Sequence, residues 1–312
     1  MNIPINFSPL LIGGFAALFS AILWAISAII FRKLGRSIPP SELNLVKGSI
    51  AVILLIITSL VMREKLPQMP IFILVLLVAS GAVGIGIGDT AYFKSLNHLG
   101  SRLALLLAML APPMTGLIAW MFLGESISLP GWVGIAITIA GIIWVISEEQ
   151  TPEQNSNINL KLGIKFAFIS ALAQAIGAVI TRYALTSVEV TVSALQVSII
   201  RLLAGILYLI FVIYFSKTNN FTWMKQSNDQ HFSRWNLLRM IALVGFLGTY
   251  SAIWLQSISI QYAPVAIAQT LLSTSPLFIL PIIAFQGERI SFRAVGGVIL
   301  SLAGIILLFS LG

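Results

Sequence analysis

Three ionisable residues stand inside long apolar runs of this sequence: Lys47, Asp89 and Arg201. An ionised side chain at the centre of a membrane helix costs about 2.5–3.5 kcal/mol on insertion scales, so such groups usually face a cavity or a partner. Asp89 is a candidate for carrying a proton or binding a substrate amine. Its alternative is a place near the membrane edge, or a purely structural pairing with a nearby base. Lys47 and Arg201 are candidates for drawing a carboxylate or phosphate into a cavity. Their alternative is snorkelling, in which a long side chain lifts its charge out to the headgroups. Snorkelling weighs more for Lys47, close to the start of its run, than for Arg201, well inside its own.

Polar and amphipathic groups accompany these charges within the apolar runs: Trp24, Tyr92, Gln174, Tyr250, Trp254 and Gln269, with Gln196 and Gln256. Small-molecule sites have apolar and aromatic walls with a few placed polar groups. Each residue also has a plainer reading, an interfacial belt for Trp and Tyr or interhelical hydrogen bonding for Gln. Gln174 and Trp254 sit deepest. Pro112, Pro113 and Pro276 fall inside apolar runs, where proline removes a backbone hydrogen bond and bends a helix. They are expected to be gating flex points or fixed kinks. Glu125 and Glu288 each follow a glycine at the end of a run; they read as gating charges or, the weightier reading, as residues that favour the start of the next helix through its dipole.

Other patterns exclude chemistry. Gly81, Gly84, Gly86 and Gly88 lack the strand that a dinucleotide loop requires, and small residues at such spacing suit close helix packing. There is no cysteine, and neither His98 nor His231 has a cluster of potential ligands near it, so no metal site and no cofactor are expected. No HExxH or GxSxG is present, which argues against an intramembrane enzyme.

The elements that must hold these residues follow from composition. Of 312 residues, 58% are hydrophobic and 9% charged, and the mean hydropathy is +1.00. Soluble chains are about 25% charged, so this surface must face something apolar, a lipid bilayer. The net charge of +8 comes from basic residues at the ends of apolar runs, which suits headgroup anchoring rather than nucleic acid. Met1 to Pro9 has no basic residue, unlike a cleaved signal peptide, so Leu11–Phe31 reads as a retained first span. A span needs about 20 apolar residues. Ten segments qualify, at 11–31, 43–62, 71–93, 101–123, 130–147, 160–182, 192–215, 237–259, 264–285 and 291–311. Met240 to Gly287 carries no charge and must hold two spans, with the turn near Ser259–Pro264 because proline suits a first helical turn. The polar stretches 148–159 and 217–236 lie outside the membrane, the first as a linker between halves.

The halves repeat. Pro113, Gly124-Glu125, Gly134, Ala140-Gly141 and Ser147 recur 163 residues later as Pro276, Gly287-Glu288, Gly297, Ala303-Gly304 and Ser310. Ser20-Ala21 and Ala25-Ile26-Ser27-Ala28 match Ser170-Ala171 and Ala175-Ile176-Gly177-Ala178, and Lys47 matches Arg201. Five spans per half is odd, so the second half enters from the opposite side, the inverted repeat typical of transporters with a midplane site. The expected fold is all-α and polytopic, with ten transmembrane helices as two inverted five-helix repeats, 1–149 and 160–312, joined by a linker at 150–159.

The twice-occurring Pro to Gly-Glu spacing, each followed by a glycine-spaced span, resembles the EamA-type members of the drug/metabolite transporter superfamily. The resemblance covers nearly the whole chain. It implies ten helices, a central cavity, no cofactor, and export or exchange of amino acids, organic acids or drug-like compounds across a plasma (bacterial inner) membrane by alternating access. Lys47 departs from the Arg that many relatives carry, and Lys is less suited to bidentate carboxylate binding. On orientation two arguments differ: loop charges favour both termini outside, whereas the resemblance implies both inside. The rival to transport is a scaffold subunit, which would have a packed centre and its embedded charges paired off.

Overall fold

The computed structural model describes residues 9–35, 37–64, 68–124, 128–146, 159–186, 192–215, 234–285 and 291–310. The regular structure among them is helical. The first half contains α1 (Pro9–Leu34), α2 (Pro40–Val61), α3 (Ile71–Gly81), a π-helical segment π1 (Ala82–Asp89), α4 (Thr90–Ala108), α5 (Ala111–Leu123) and α6 (Leu129–Ile146). The second contains α7 (Leu160–Thr186), α8 (Ala194–Phe215), α9 (Arg234–Val244), π2 (Gly245–Ser251), α10 (Ala252–Tyr262), α11 (Val265–Leu272), α12 (Ser275–Phe285) and α13 (Phe292–Ser310). Eight helical stretches among the described residues are long and apolar enough to cross a membrane. α6 and α13, of 18 and 19 residues, are apolar as well. The linker at 150–158, the loop at 217–233, Glu125 and Glu288 lie outside the described residues.

Large apolar side chains cover the outside. Phe19, Leu60, Phe122 and Phe285 are well exposed, as lipid-facing residues must be. Small residues mark close helix contacts: Ala17, Ala21, Ala25 and Ala28 on α1 are completely buried. In lipid, helices gain from close backbone approach, and small residues permit it.

The halves interlock. The first helix of each packs antiparallel against the third span of the other. From α1, Ser20 Oγ donates to the Ala252 carbonyl at 2.9 Å and Trp24 Nε1 to the Gly248 carbonyl at 3.1 Å. From α3 and α7, Ser80 Oγ donates to the Gly177 carbonyl at 2.8 Å, and Gln174 Nε2 reaches the Gly84 carbonyl at 3.3 Å. α6 and α13 cross on the same pseudo-two-fold relation. Thr138 Oγ1 donates to the Ser301 carbonyl and Ser301 Oγ to the Thr138 carbonyl, both at 3.2 Å. Gly141 lies against Gly297 and Ser301, and Gly304 against Gly134 and Thr138. As the residue number rises on α6, that of its partner on α13 falls, so the two run antiparallel.

The third and eighth spans each contain a π-helical segment, π1 at 82–89 and π2 at 245–251, at the spacing of the sequence repeat. The third span is longer than its composition suggests: it runs on to Gly100, where φ is +76°. The turn expected near Ser259–Pro264 is at Ala263, which is extended, with Pro264 entering α11.

Pro112, Pro113 and Pro276 stand at bends within their spans. The fourth and ninth spans are each broken in two, between α4 and α5 and between α11 and α12. All three prolines stand in the first turn after the break. A first-turn residue has no intrahelical acceptor for its N–H, so proline costs nothing there. The breaks themselves are tightened by short-range bonds, Leu110 N–H to the Leu107 carbonyl and Thr274 N–H to the Leu271 carbonyl. Pro281 is the proline inside a helix, in α12.

A charged central cavity between the two halves

A cavity of about 110 Å³ lies where the halves meet. Its walls come from both: Trp24 and Phe31 on α1, Lys47 on α2, Asp89 at the end of π1, Tyr92 and Phe93 on α4, Gln174 on α7, Arg201 on α8, and Gln269 on α11. Pro276 and Gly248 also contribute. Most of the wall is carbon, with the polar groups concentrated at a few points, which is the general character of a small-molecule site.

Asp89 is held from both halves. Lys47 Nζ lies 2.7 Å from Asp89 Oδ2, and Gln174 Nε2 donates to Asp89 Oδ1 at 2.9 Å. The side chain of Lys47 is 3% exposed and that of Asp89 18%. Lys47 therefore does not snorkel. Its ammonium instead sits over the rings of Phe93 and Phe31, 5.1 and 5.8 Å from their centroids. Aromatic faces attract a cation that has left water, so a buried lysine is tolerated here with one carboxylate and two rings.

The local backbone helps to place Asp89. Asn44 Nδ2 donates to the Ile85 carbonyl at 2.8 Å and to Thr90 Oγ1 at 3.0 Å. Gln174 supplies the Gly84 carbonyl as well as Asp89. Side-chain amides from α2 and α7 thus bind the carbonyls of π1, where the regular helical ladder is altered. Asn44 and Lys47 are three residues apart and share a helix face.

Arg201 stands differently. It is 1% exposed, and its Nε and Nη1 have no hydrogen-bond partner. Its Nη2 lies beside Gly84 and Gly177, where π1 and α7 cross: a methyl group built on Gly84 would sit 3.3 Å from that nitrogen, and one on Gly177 3.6 Å. The guanidinium occupies space that any side chain at those glycines would contest. The Gln269 Nε2 is likewise buried and without a partner.

The sequence profile of the EamA-like transporter family matches residues 11–147 and again 161–310. The chain belongs to the EamA-like transporter family. It is therefore a multi-pass membrane transporter of the drug/metabolite transporter superfamily, with the family's two-repeat layout. A solved structure described only as "Crystal structure of protein" superposes with a TM-score of 0.70 at 15% identity, over 95% of this chain and 96% of the other. That likeness extends the shared fold. No curated protein sequence matches the chain.

Within this EamA-like architecture, the candidate residues divide. Trp24, Lys47, Asp89, Tyr92, Gln174, Arg201, Gln269 and Pro276 are brought together around the cavity. Tyr250 and Trp254 are placed elsewhere. Their rings are 6.0 Å apart and pack on the cluster around Leu55, Leu195 and Leu202, and Tyr250 shares a 2.8 Å hydroxyl bond with Thr58. Pro112 and Pro113 are buried in the first turn of α5, away from the cavity wall. Sequence reasoning missed Asn44, Phe31 and Phe93. The available signals were the shared face of Asn44 and Lys47, and the ring next to Tyr92; neither says what it will meet.

Proposed function

We propose that this EamA-like transporter moves small metabolites bearing a carboxylate by alternating access, with the two halves rocking about the central cavity. The observation that carries the reading is Arg201, a fully buried cation at a cavity wall with two unpartnered nitrogens. Intramembrane charges are rare and are normally matched. An anionic solute would supply the missing partner. Asp89 is the candidate coupling group: a proton on its carboxylate, or a substrate anion reaching Lys47, would break the 2.7 Å pair. Export is the direction that the family resemblance implies.

The scaffold reading has one point in its favour, because Lys47 and Asp89 are paired off. The cavity and the unpartnered Arg201 count against it. The test is solute movement in proteoliposomes. Purified protein is reconstituted with a mixture of amino acids and organic acids inside, a pH gradient is imposed, and efflux and internal pH are followed together. Loss of a carboxylate-bearing compound with proton movement is the expected result. Loss without proton movement would remove Asp89 from coupling. Retention of every compound would favour the scaffold.

A further inference from the structure

The lining residues carry three charges. Lys47 and Asp89 cancel within a closed pair, and Arg201 is left over. The cavity therefore holds one net positive charge at a depth where a bare charge is costly. A zwitterion entering this cavity would bring an ammonium as well as a carboxylate. Among the described residues, the lining has a single carboxylate, Asp89, whose two oxygens each accept one bond, from Lys47 and Gln174. Those oxygens keep further acceptor sites, but a zwitterion brings no net charge and would leave the surplus positive charge uncompensated. A dianion would exceed the charge available. A single negative charge balances the site.

Two further features narrow the ligand. Gln269 Nε2 is a buried donor with no acceptor, and an unmade hydrogen bond of this kind costs about 1–3 kcal/mol. A ligand with a second, uncharged oxygen would satisfy it. The cavity is small, about 110 Å³, which suits a small ligand. The walls beyond the polar groups are Phe31, Phe93, Ile85 and Leu105, suited to a short carbon chain.

We infer that the substrate is a small monoanion, a short-chain monocarboxylate with one additional oxo or hydroxy oxygen, whose carboxylate pairs with Arg201 and whose second oxygen accepts from Gln269. This rests on the transporter reading and sharpens its substrate class. The carboxylate replaces no existing hydrogen bond. It would complete Arg201 Nε and Nη1, which are buried and without a partner.

The test uses the full chain in proteoliposomes, with labelled pyruvate and lactate as oxo and hydroxy monocarboxylates, and butyrate as a monocarboxylate without the second oxygen. Alanine serves as the zwitterion, succinate as the dianion and choline as the cation. Uptake of pyruvate or lactate is expected to exceed that of alanine, succinate and choline by about tenfold or more, the worth of one charge-assisted hydrogen bond. Gln269→Leu should cut uptake of lactate toward that of butyrate. Preferred uptake of alanine, succinate or choline would overturn the inference and leave the transporter reading intact. Equal uptake of lactate and butyrate by the unmodified protein would overturn the role of Gln269. No uptake in any class would overturn both the inference and the transporter reading. Melting of each variant in detergent confirms that it is folded before its uptake is compared.

Discussion

Lys47 Nζ and Asp89 Oδ2 lie 2.7 Å apart, 42 residues apart in sequence, with the lysine side chain only 3% exposed. Breaking a buried ion pair by removing one partner costs about 3–5 kcal/mol, because the other is left buried and bare. Lys47→Met and Asp89→Asn should each lose stability of that order. The double variant should lose clearly less than the two together, since it strands no charge. Reversible unfolding in mixed micelles measures all three, and purely additive losses would show that the pair is not a unit.

Arg201 should behave in the opposite way. Its Nε and Nη1 have no partner, so Arg201→Met removes a desolvated charge and breaks no pair. It is expected to leave the melting temperature unchanged or higher while abolishing carboxylate transport. Loss of stability together with transport would mean that Arg201 holds the structure rather than the substrate. Arg201→Lys keeps the charge but loses the planar fork that suits a carboxylate, and should transport weakly.

The crossing of α6 and α13 has no room to spare. A methyl at Gly304 would come within 2.5 Å of the Gly134 carbonyl, and one at Gly141 within 2.5 Å of Ser301 Oγ. Gly141→Leu and Gly304→Leu should each force the two helices apart and reduce the yield of monodisperse protein. Thr138→Val and Ser301→Ala remove one reciprocal bond each and should cost only about 0.6 kcal/mol, the average for such bonds in membranes. Size-exclusion profiles separate the two classes of variant.

The ends of the bundle differ in charge. Chain order through successive antiparallel spans places Arg32, Lys33, Lys94, Lys161, Lys165, Arg234, Arg239 and Arg293 at one end, and Arg63 and Arg182 at the other. The excess of Lys and Arg marks the cytoplasmic side, so both termini are expected on the opposite face. The native chain has no cysteine, and single cysteines can be added at Asn97 and at Arg63. Labelling of Asn97→Cys from outside intact cells by a membrane-impermeant thiol reagent, with Arg63→Cys protected, would reverse this assignment.

Much of the architecture could be read from the chain by itself. Apolar length and scarcity of charge set the membrane-spanning helices, because the bilayer acts on each segment separately through its own composition. The recurrence at 163 residues showed two halves, and an odd number of spans in each implied opposite entry. The prolines were legible as marks of bent spans, but not the place of each break, because a first-turn proline looks the same in sequence as an interior one.

What only the tertiary structure decided is who meets whom. Lys47 could have reached the headgroups; packing of α2 against the end of π1 gave it Asp89 and two aromatic rings instead. Tyr250 and Trp254 had the same credentials as Trp24 and Tyr92, yet the rotation of α10 and π2 turned them to a different cluster. The π-helical segments were invisible because one extra residue per turn leaves no mark on apolar periodicity, although it alters which way Asp89 points. Span formation depends on local hydrophobicity and is legible residue by residue. The facing of each helix depends on contacts between segments dozens to hundreds of residues apart, and those exist only once the two halves have interlocked.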